Sequence, residues 1–168
     1  LLEKNENNFE QGIDKNGNAV IMEDVKVEGE ENPTKTEDIP PKRGNLMGEL
    51  KRKNLAERKV VEDLLSQGKN VEIVEESKIQ GVQTPDFIID GVPTELKTLN
   101  SLNTGRGAKH IENGFKQHAS VVILDARPAN ASKTHADEIF ERAKGKYPNK
   151  ELPGSIEIWT NVGVFRYP

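Results

Sequence analysis

The stretch Thr84–Leu99, TPDFIIDGVPTELKTL, decides how this chain folds. Two short apolar-rich runs, Phe87–Ile89 and Val92–Leu96, flank Asp90-Gly91. Asp-Gly between such runs predicts a two-residue hairpin turn, because both central positions need positive φ. The register then follows: Ile89 faces Val92, Ile88 faces Pro93, Phe87 faces Thr94 and Asp86 faces Glu95. Side chains alternate along a strand, so Asp86, Glu95 and Lys97 project from one face. Phe87, Ile89, Val92, Thr94 and Leu96 take the other, which suits a core. Like charges placed directly opposite each other destabilise a hairpin. Two opposed carboxylates with an ammonium two residues on therefore need a reason, and the simplest is a divalent cation between them.

Outward from the hairpin, the pattern reads as alternating helices and strands. Asn45 to Gln67 is expected to be helical, with Leu46, Leu50, Val60, Val61, Leu64 and Leu65 on one stripe and Gly68 closing it. Glu57 falls in the middle of that stripe, whereas Glu62 and Asp63 fall off it. A carboxylate aimed into a core is costly without a partner. Glu57 is thus a helix-surface residue near a bend, a local partner of Lys53, or a third acid directed at the hairpin. Asn70–Glu75 reads as a strand and Leu99–Gly107 as a Gly/Asn-rich loop carrying Arg106. A helix is expected from about Ala108 to Ala119, with Ala108, Ile111, Phe115 and Ala119 inward and Lys109, Asn113, Lys116 and Gln117 outward. Ser120–Ala126 has the continuous apolar character of a strand covered on both faces. A helix from about Ser132 to Lys144 buries Ala136, Ile139, Phe140 and Ala143, and Ser155–Tyr167 supplies one or two closing strands. The order α-β-β-β-α-β-α-β gives an α/β domain with a mixed sheet.

Composition divides the chain in two. Residues 1–41 hold 11 acids and 4 bases, and residues 42–168 hold 17 acids and 20 bases, so the overall charge of −4 conceals a mildly basic remainder. That balance is compatible with a phosphate-bearing ligand and falls short of a nonspecific DNA coat. The acidic segment, rich in Asn, Glu and Gly and ending at Pro40-Pro41, reads as a linker or a separate small subdomain, with the main domain at 42–168. Within it, Ile13 and Ala19–Met22 flank DKNGN as a small hairpin or isolated turn. That loop fails as an EF-hand, whose sixth and twelfth positions need Gly and Glu, because Ala19 and Val25 stand there. The absence of cysteine excludes disulfides and thiolate zinc sites. No apolar run reaches the length of a membrane span, and no leader pattern is visible. The start at Leu1 reads as a piece of a longer polypeptide.

Hard oxygen ligands such as Asp86 and Glu95 suit Mg²⁺, with Mn²⁺ and Zn²⁺ as the other metals considered. Such an ion would activate water and neutralise charge on a phosphodiester, with Lys97 stabilising developing charge. His110, His118 and His135 lack zinc-ligand spacing and read as structural or surface residues. Pro85-Asp86 followed by Glu95-Leu96-Lys97 resembles the PD-(D/E)xK nuclease superfamily. The resemblance implies catalytic roles for Glu57, Asp86, Glu95 and Lys97, with metal at Asp86 and Glu95. A one-turn shift would choose Glu62 in place of Glu57, and the face argument favours Glu57. Over about residues 45–145, the ELKT run, the Gly/Asn-rich loop, a helix ending Lys116-Gln117-His118-Ala119 and a strand ending Asp125-Ala126-Arg127 resemble the tRNA-nuclease toxin domains at the C-termini of contact-dependent growth inhibition proteins (CdiA type).

That family implies a metal-dependent endonuclease toxin carried on a larger secreted or surface protein, acting in a target cell's cytoplasm and neutralised by a cognate immunity protein. It also makes residues 1–41 a linker or the end of an entry region. It favours tRNA as substrate, with DNA as the alternative. Lys109, Asn113, Lys116 and Gln117 are either a solvated helix face or a substrate-binding one, in which Lys116 and Gln117, with Lys109 beside them and Arg106 from its loop, meet backbone phosphates. A reading of another class makes the domain a catalytically inactive binding module in which Asp86, Glu95 and Lys97 form a structural ion-pair cluster. A third makes the hairpin a solvated scaffold element, against which the position of Glu57 argues.

Overall fold

A computed structural model describes residues 42–168 together with the backbone of two short strands, β1 (Gln11–Ile13) and β2 (Ala19–Ile21). The chain divides into two compact units, Leu1–Ile39 and Pro40–Pro168. In the first, β1 and β2 pair antiparallel with Gly12 opposite Val20, so the small hairpin expected there forms. The intervening DKNGN loop and the rest of the acidic segment lie outside the described residues.

The second unit is a seven-stranded mixed sheet in which spatial order equals chain order. Its strands are β3 (Leu46–Met47), β4 (Val71–Ile73), β5 (Phe87–Ile89), β6 (Val92–Thr98), β7 (Val121–Asp125), β8 (Ser155–Thr160) and β9 (Gly163–Tyr167). β6, β7 and β8 run parallel, β4–β5–β6 and β8–β9 are antiparallel, and β3 is parallel to β4. The expected α/β class with a mixed, helix-flanked sheet is what the chain adopts.

Three helices cover the sheet: α1 (Leu55–Ser66), α2 (Thr104–Phe115) and α3 (Lys133–Lys144). α2 joins β6 to β7 and α3 joins β7 to β8, two parallel crossovers in the same direction. The handedness preference of such connections sets both helices on one face. There Ala108, Ile111, Phe115, Ala136 and Ile139 pack with Val122, Leu124, Ile156 and Ile158. α1 covers the other face, where Val60, Val61, Leu64 and Leu65 meet Phe87, Leu96, Ile123 and Trp159. β7 contributes to both cores, which accounts for its unbroken apolar run.

The first helix is shorter than its pattern predicts. Asn45 to Gln67 breaks into β3, a 3₁₀ turn at Leu50–Arg52, and α1. Gly48 sits at φ +95°, a left-handed conformation that stops helix propagation. Asn54 then restarts it: its side chain accepts from the Glu57 N–H at 2.9 Å, and the Glu57 carboxylate accepts from the Asn54 N–H at 3.0 Å. This reciprocal capping box fixes the start at Leu55. Gly68, at φ +82°, ends the helix as expected.

α2 also starts earlier than predicted. The Asn103 side chain accepts from the Arg106 N–H at 2.8 Å, so Arg106 lies in the helix's first turn rather than in a loop. The helix stops at Phe115, and His118 turns the chain at φ +61°. α3 begins after Ser132, whose backbone N–H donates to His135 Nδ1 at 3.1 Å in a second capping box, giving His135 its structural place.

Candidate functional site

The hairpin forms in the predicted register, with Phe87 opposite Thr94, Ile88 opposite Pro93 and Ile89 opposite Val92. Asp90 and Gly91 have φ of +48° and +82°, both positive as a two-residue type I′ turn demands. Phe87 and Leu96 are buried under α1, while Glu95 lies beneath α2, where its Cγ is 3.4 Å from where a Cβ on Gly114 would stand. Asp86 and Glu95 line one cleft.

Their partners differ from the expectation. Asp86 Oδ1 accepts from Lys53 Nζ at 2.8 Å. Glu95 Oε2 accepts from the Asp86 backbone N–H at 3.0 Å, and Glu95 Oε1 pairs with Lys97 Nζ. Each carboxylate has its own ammonium, and the discomfort of opposed like charges is relieved without a shared ion. Burial is the main influence holding the Glu95 carboxyl above its ordinary value. The Lys97 hydrogen bond and charge act downward, and the Asp86 charge adds to the upward push.

Glu57 lines the same cleft as Asp86, Glu95, Lys97 and Gln117, a cavity of about 350 Å³. Its Oε2 accepts from the Asn54 backbone N–H in the helix cap. Glu62, the alternative, pairs with Arg43 in an exposed position. Among the described residues, no three His, Cys, Asp or Glu side chains come together as a group able to hold a metal ion.

That finding overturns the divalent-cation reading. The expected Mg²⁺ site, with Mn²⁺ or Zn²⁺ as substitutes, lacks its donor group. The metal-dependent endonuclease, whether cutting tRNA or DNA, and the nuclease, hydrolase and metal-binding descriptions attached to it fall with the site. The ion pairs favour the other reading, a binding domain with a structural cluster.

The basic side of α2 is organised around one acid. Glu112 accepts from Lys109 at 3.0 Å and from Lys116 at 2.8 Å, and Lys146 lies 3.4 Å away. The two hydrogen bonds, Lys116 first, hold the Glu112 carboxyl down to about 2. Lys116 and Gln117 line a second cavity, of about 380 Å³, beside the first. Arg106 and Lys109 are exposed on α2 and line neither.

Two pairings escaped the sequence reading. Lys53 is the partner of Asp86, and its Nζ stands 4.7 Å from the Phe87 ring centroid. Arg127 grips buried Asp125 through two nitrogens at 2.7 and 2.9 Å and reaches Asp63 on α1 at 2.6 Å, over the face of Trp159. The Asn54-x-x-Glu57 spacing was a legible cue for the cap that places Lys53. No local pattern announces the Arg127 clamp.

A family model described as the contact-dependent growth inhibition CdiA C-terminal domain matches residues 83–165. The chain resembles CdiA C-terminal toxin domains. The matched span runs from just before β5 to β9 and includes Asp86, Glu95 and Lys97. A solved chain of the CdiA-CT/CdiI toxin and immunity complex from Burkholderia pseudomallei superposes with a TM-score of 0.53 at 19% identity, covering 74% of this chain and 98% of that one. At that identity the likeness to the Burkholderia chain is one of fold. No curated protein sequence matches. Among the described residues, no helix is long and apolar enough to cross a membrane.

Proposed function

We propose that this chain is the C-terminal toxin-type domain of a contact-dependent growth inhibition protein and that it acts by binding. Its fold is read as a PD-(D/E)xK scaffold whose Asp86, Glu95 and Lys97 serve as an ion-paired cluster. The ligand is a polynucleotide, tRNA ahead of DNA, met by Arg106 and Lys109 on α2 and by Lys116 and Gln117 just beyond its end. A cognate immunity protein is the protein partner. Residues 42–168 form the binding domain, and residues 1–41 are an acidic linker or the end of a cell-entering region. The parent protein is secreted or displayed, and the domain works in the recipient cell's cytoplasm.

One observation carries this reading: both hairpin carboxylates are already paired, to Lys53 and to Lys97, beside a helix face rich in ammonium and amide groups. Lys and amide side chains commonly meet phosphate oxygens, and such contacts need no metal. The test is fluorescence anisotropy of labelled tRNA and duplex DNA with the full chain, in EDTA and in Mg²⁺, with gel analysis of the same samples. The expected result is tRNA bound alike in both buffers and left intact, and a stable complex with a cognate immunity protein. Mg²⁺-dependent cleavage that EDTA and Asp86→Asn abolish, or the absence of any binding, would overturn the proposal.

A further inference from the structure

The 380 Å³ cavity beside the hairpin is lined by Gln83, Lys97, His110, Asn113, Lys116 and Gln117. The set contains two ammonium groups, three carboxamides and an imidazole, and not one carboxylate. Each carboxamide offers two N–H donors and each ammonium three. Glu95 holds Lys97, and Glu112 holds Lys116 at 2.8 Å, while the acids Glu57, Glu76, Asp86 and Glu95 line the adjoining cleft. These pairs fix where the ammonium groups point without placing an acid in the lining. Glu112 is shared with Lys109 and Lys146, so three ammonium groups surround that one carboxylate.

We infer that this cavity is a seat for a single phosphate group, held by Lys97 and Lys116 with the amides of Asn113 and Gln117, and with His110 at its wall. The inference rests on the binding reading above and sharpens it, naming one compartment and one chemical group. Phosphate fits because its charge matches two ammonium groups and its oxygens accept from several donors at once. The group is either free inorganic phosphate or one phosphodiester of a polynucleotide backbone.

His110 makes the seat observable. Burial, and then the charges of Lys97 and Arg106, hold its imidazole below the ordinary histidine range. The charged and polar groups around His110 are Lys97 from β6, Arg106 and Asn113 from α2, Lys116 and Gln117 just beyond α2, and Gln83 from the loop before β5. An anion bound among them opposes the two cations and favours the imidazolium.

The experiment follows the His110 ring by NMR through a pH titration of the full chain, alone, with inorganic phosphate, and with tRNA in EDTA. Phosphate is expected to raise the proton affinity of His110 on the order of tenfold. Asn113→Asp should abolish that increment by placing a carboxylate in the lining, and Gln117→Glu serves as a second variant where Asn113→Asp does not fold. Lys133→Ala, remote on α3, should keep it. The same rise with tRNA assigns the seat to the backbone phosphate. A rise with phosphate while tRNA fails to bind supports the seat, assigns it to free phosphate and defeats the polynucleotide reading. If tRNA binds while neither ligand moves His110, the seat is refuted and the polynucleotide reading stands. An increment of equal size in the carboxylate variants also refutes the seat.

Discussion

Lys53 Nζ lies 2.8 Å from Asp86 Oδ1 and 4.7 Å from the Phe87 ring centroid, tying the residue ahead of the α1 cap to the residue ahead of β5 across 33 positions of sequence. The lysine side chain is 14% exposed and that of Asp86 25%, so the pair is shielded from water without being sealed from it. Its worth therefore falls between that of exposed pairs and that of buried ones. Lys53→Met, which keeps a stem over Phe87, is expected to cost about 2 kcal/mol in urea unfolding by leaving Asp86 unpaired. Adding Asp86→Asn should return part of that loss. A double-mutant cycle with no coupling would show that the contact does not stabilise the fold.

Glu95 imposes a pH dependence of definite sign. Its carboxyl is raised above 4.5, chiefly by burial, so the folded state holds its proton more tightly than the unfolded chain does. The stabilising contribution is complete below the unfolded value and is lost as pH rises through the folded one. Wild type should thus lose stability relative to Glu95→Gln as pH climbs from below 4.5 toward neutrality. Paired chemical denaturations across that range measure the difference, and a flat or opposite trend would contradict the assignment.

Arg127 is a three-point clamp. Removing it with Arg127→Met leaves the carboxylate of Asp125, which is 3% exposed, without its fork, and about 3 kcal/mol or more of stability should go with it. Arg127→Lys should recover little, because a point ammonium cannot reproduce two parallel bonds to Asp125 and a third to Asp63. Full recovery by lysine would mean that charge alone, and not geometry, holds α1 to the end of β7.

Two glycines of α2 should respond oppositely to alanine. At Gly114 a Cβ would stand 2.8 Å from Val122 Cγ2 and 2.9 Å from Cγ1, so Gly114→Ala overpacks the α2–sheet contact and is expected to cost about 1–3 kcal/mol. At Gly105 the nearest atom is Asn103 Oδ1 at 3.4 Å, and Gly105→Ala should stabilise by up to about 1 kcal/mol through helix propensity. Thermal melts of the two variants separate a steric role for Gly114 from a merely permissive one.

The sequence was most informative where structure is local. Asp90-Gly91 specified a turn, the turn specified a register, and alternation then sent Phe87 and Leu96 beneath α1 and Glu95 beneath α2. The apolar faces of α2 and α3 were legible for the same reason, their periodicity being written within a dozen residues. Helix starts were misread where a side-chain cap overrides the apolar pattern: Asn54 and Asn103 place the first turns, and the hydrophobic stripe does not record them. The divalent-cation reading failed at long range. It weighed Asp86 and Glu95 against each other, whereas Asp86 is neutralised by Lys53 from outside the hairpin. Nothing in the composition of either segment encodes that meeting, which exists only once α1 has packed on the sheet. The Arg127 link to Asp63, 64 residues away, was hidden in the same manner.

The agreement of spatial and chain order across β3 to β9 has a mechanical consequence. A pull on Pro168 meets β9 at Tyr167, opposite Ile156, and opens the β8–β9 ladder one rung at a time, from the end inward. The β5–β6 hairpin, pulled by its two free ends, would unzip in the same way. The parallel ladders β6–β7 and β7–β8 differ, since drawing neighbouring strands in opposite directions along their axes loads every rung together. Force applied from the C-terminal end would therefore strip the outer hairpin at low load and meet its main resistance at the β6–β7–β8 centre. With no strand inserted between two chain neighbours, the sheet can come apart, and re-form, in sequence.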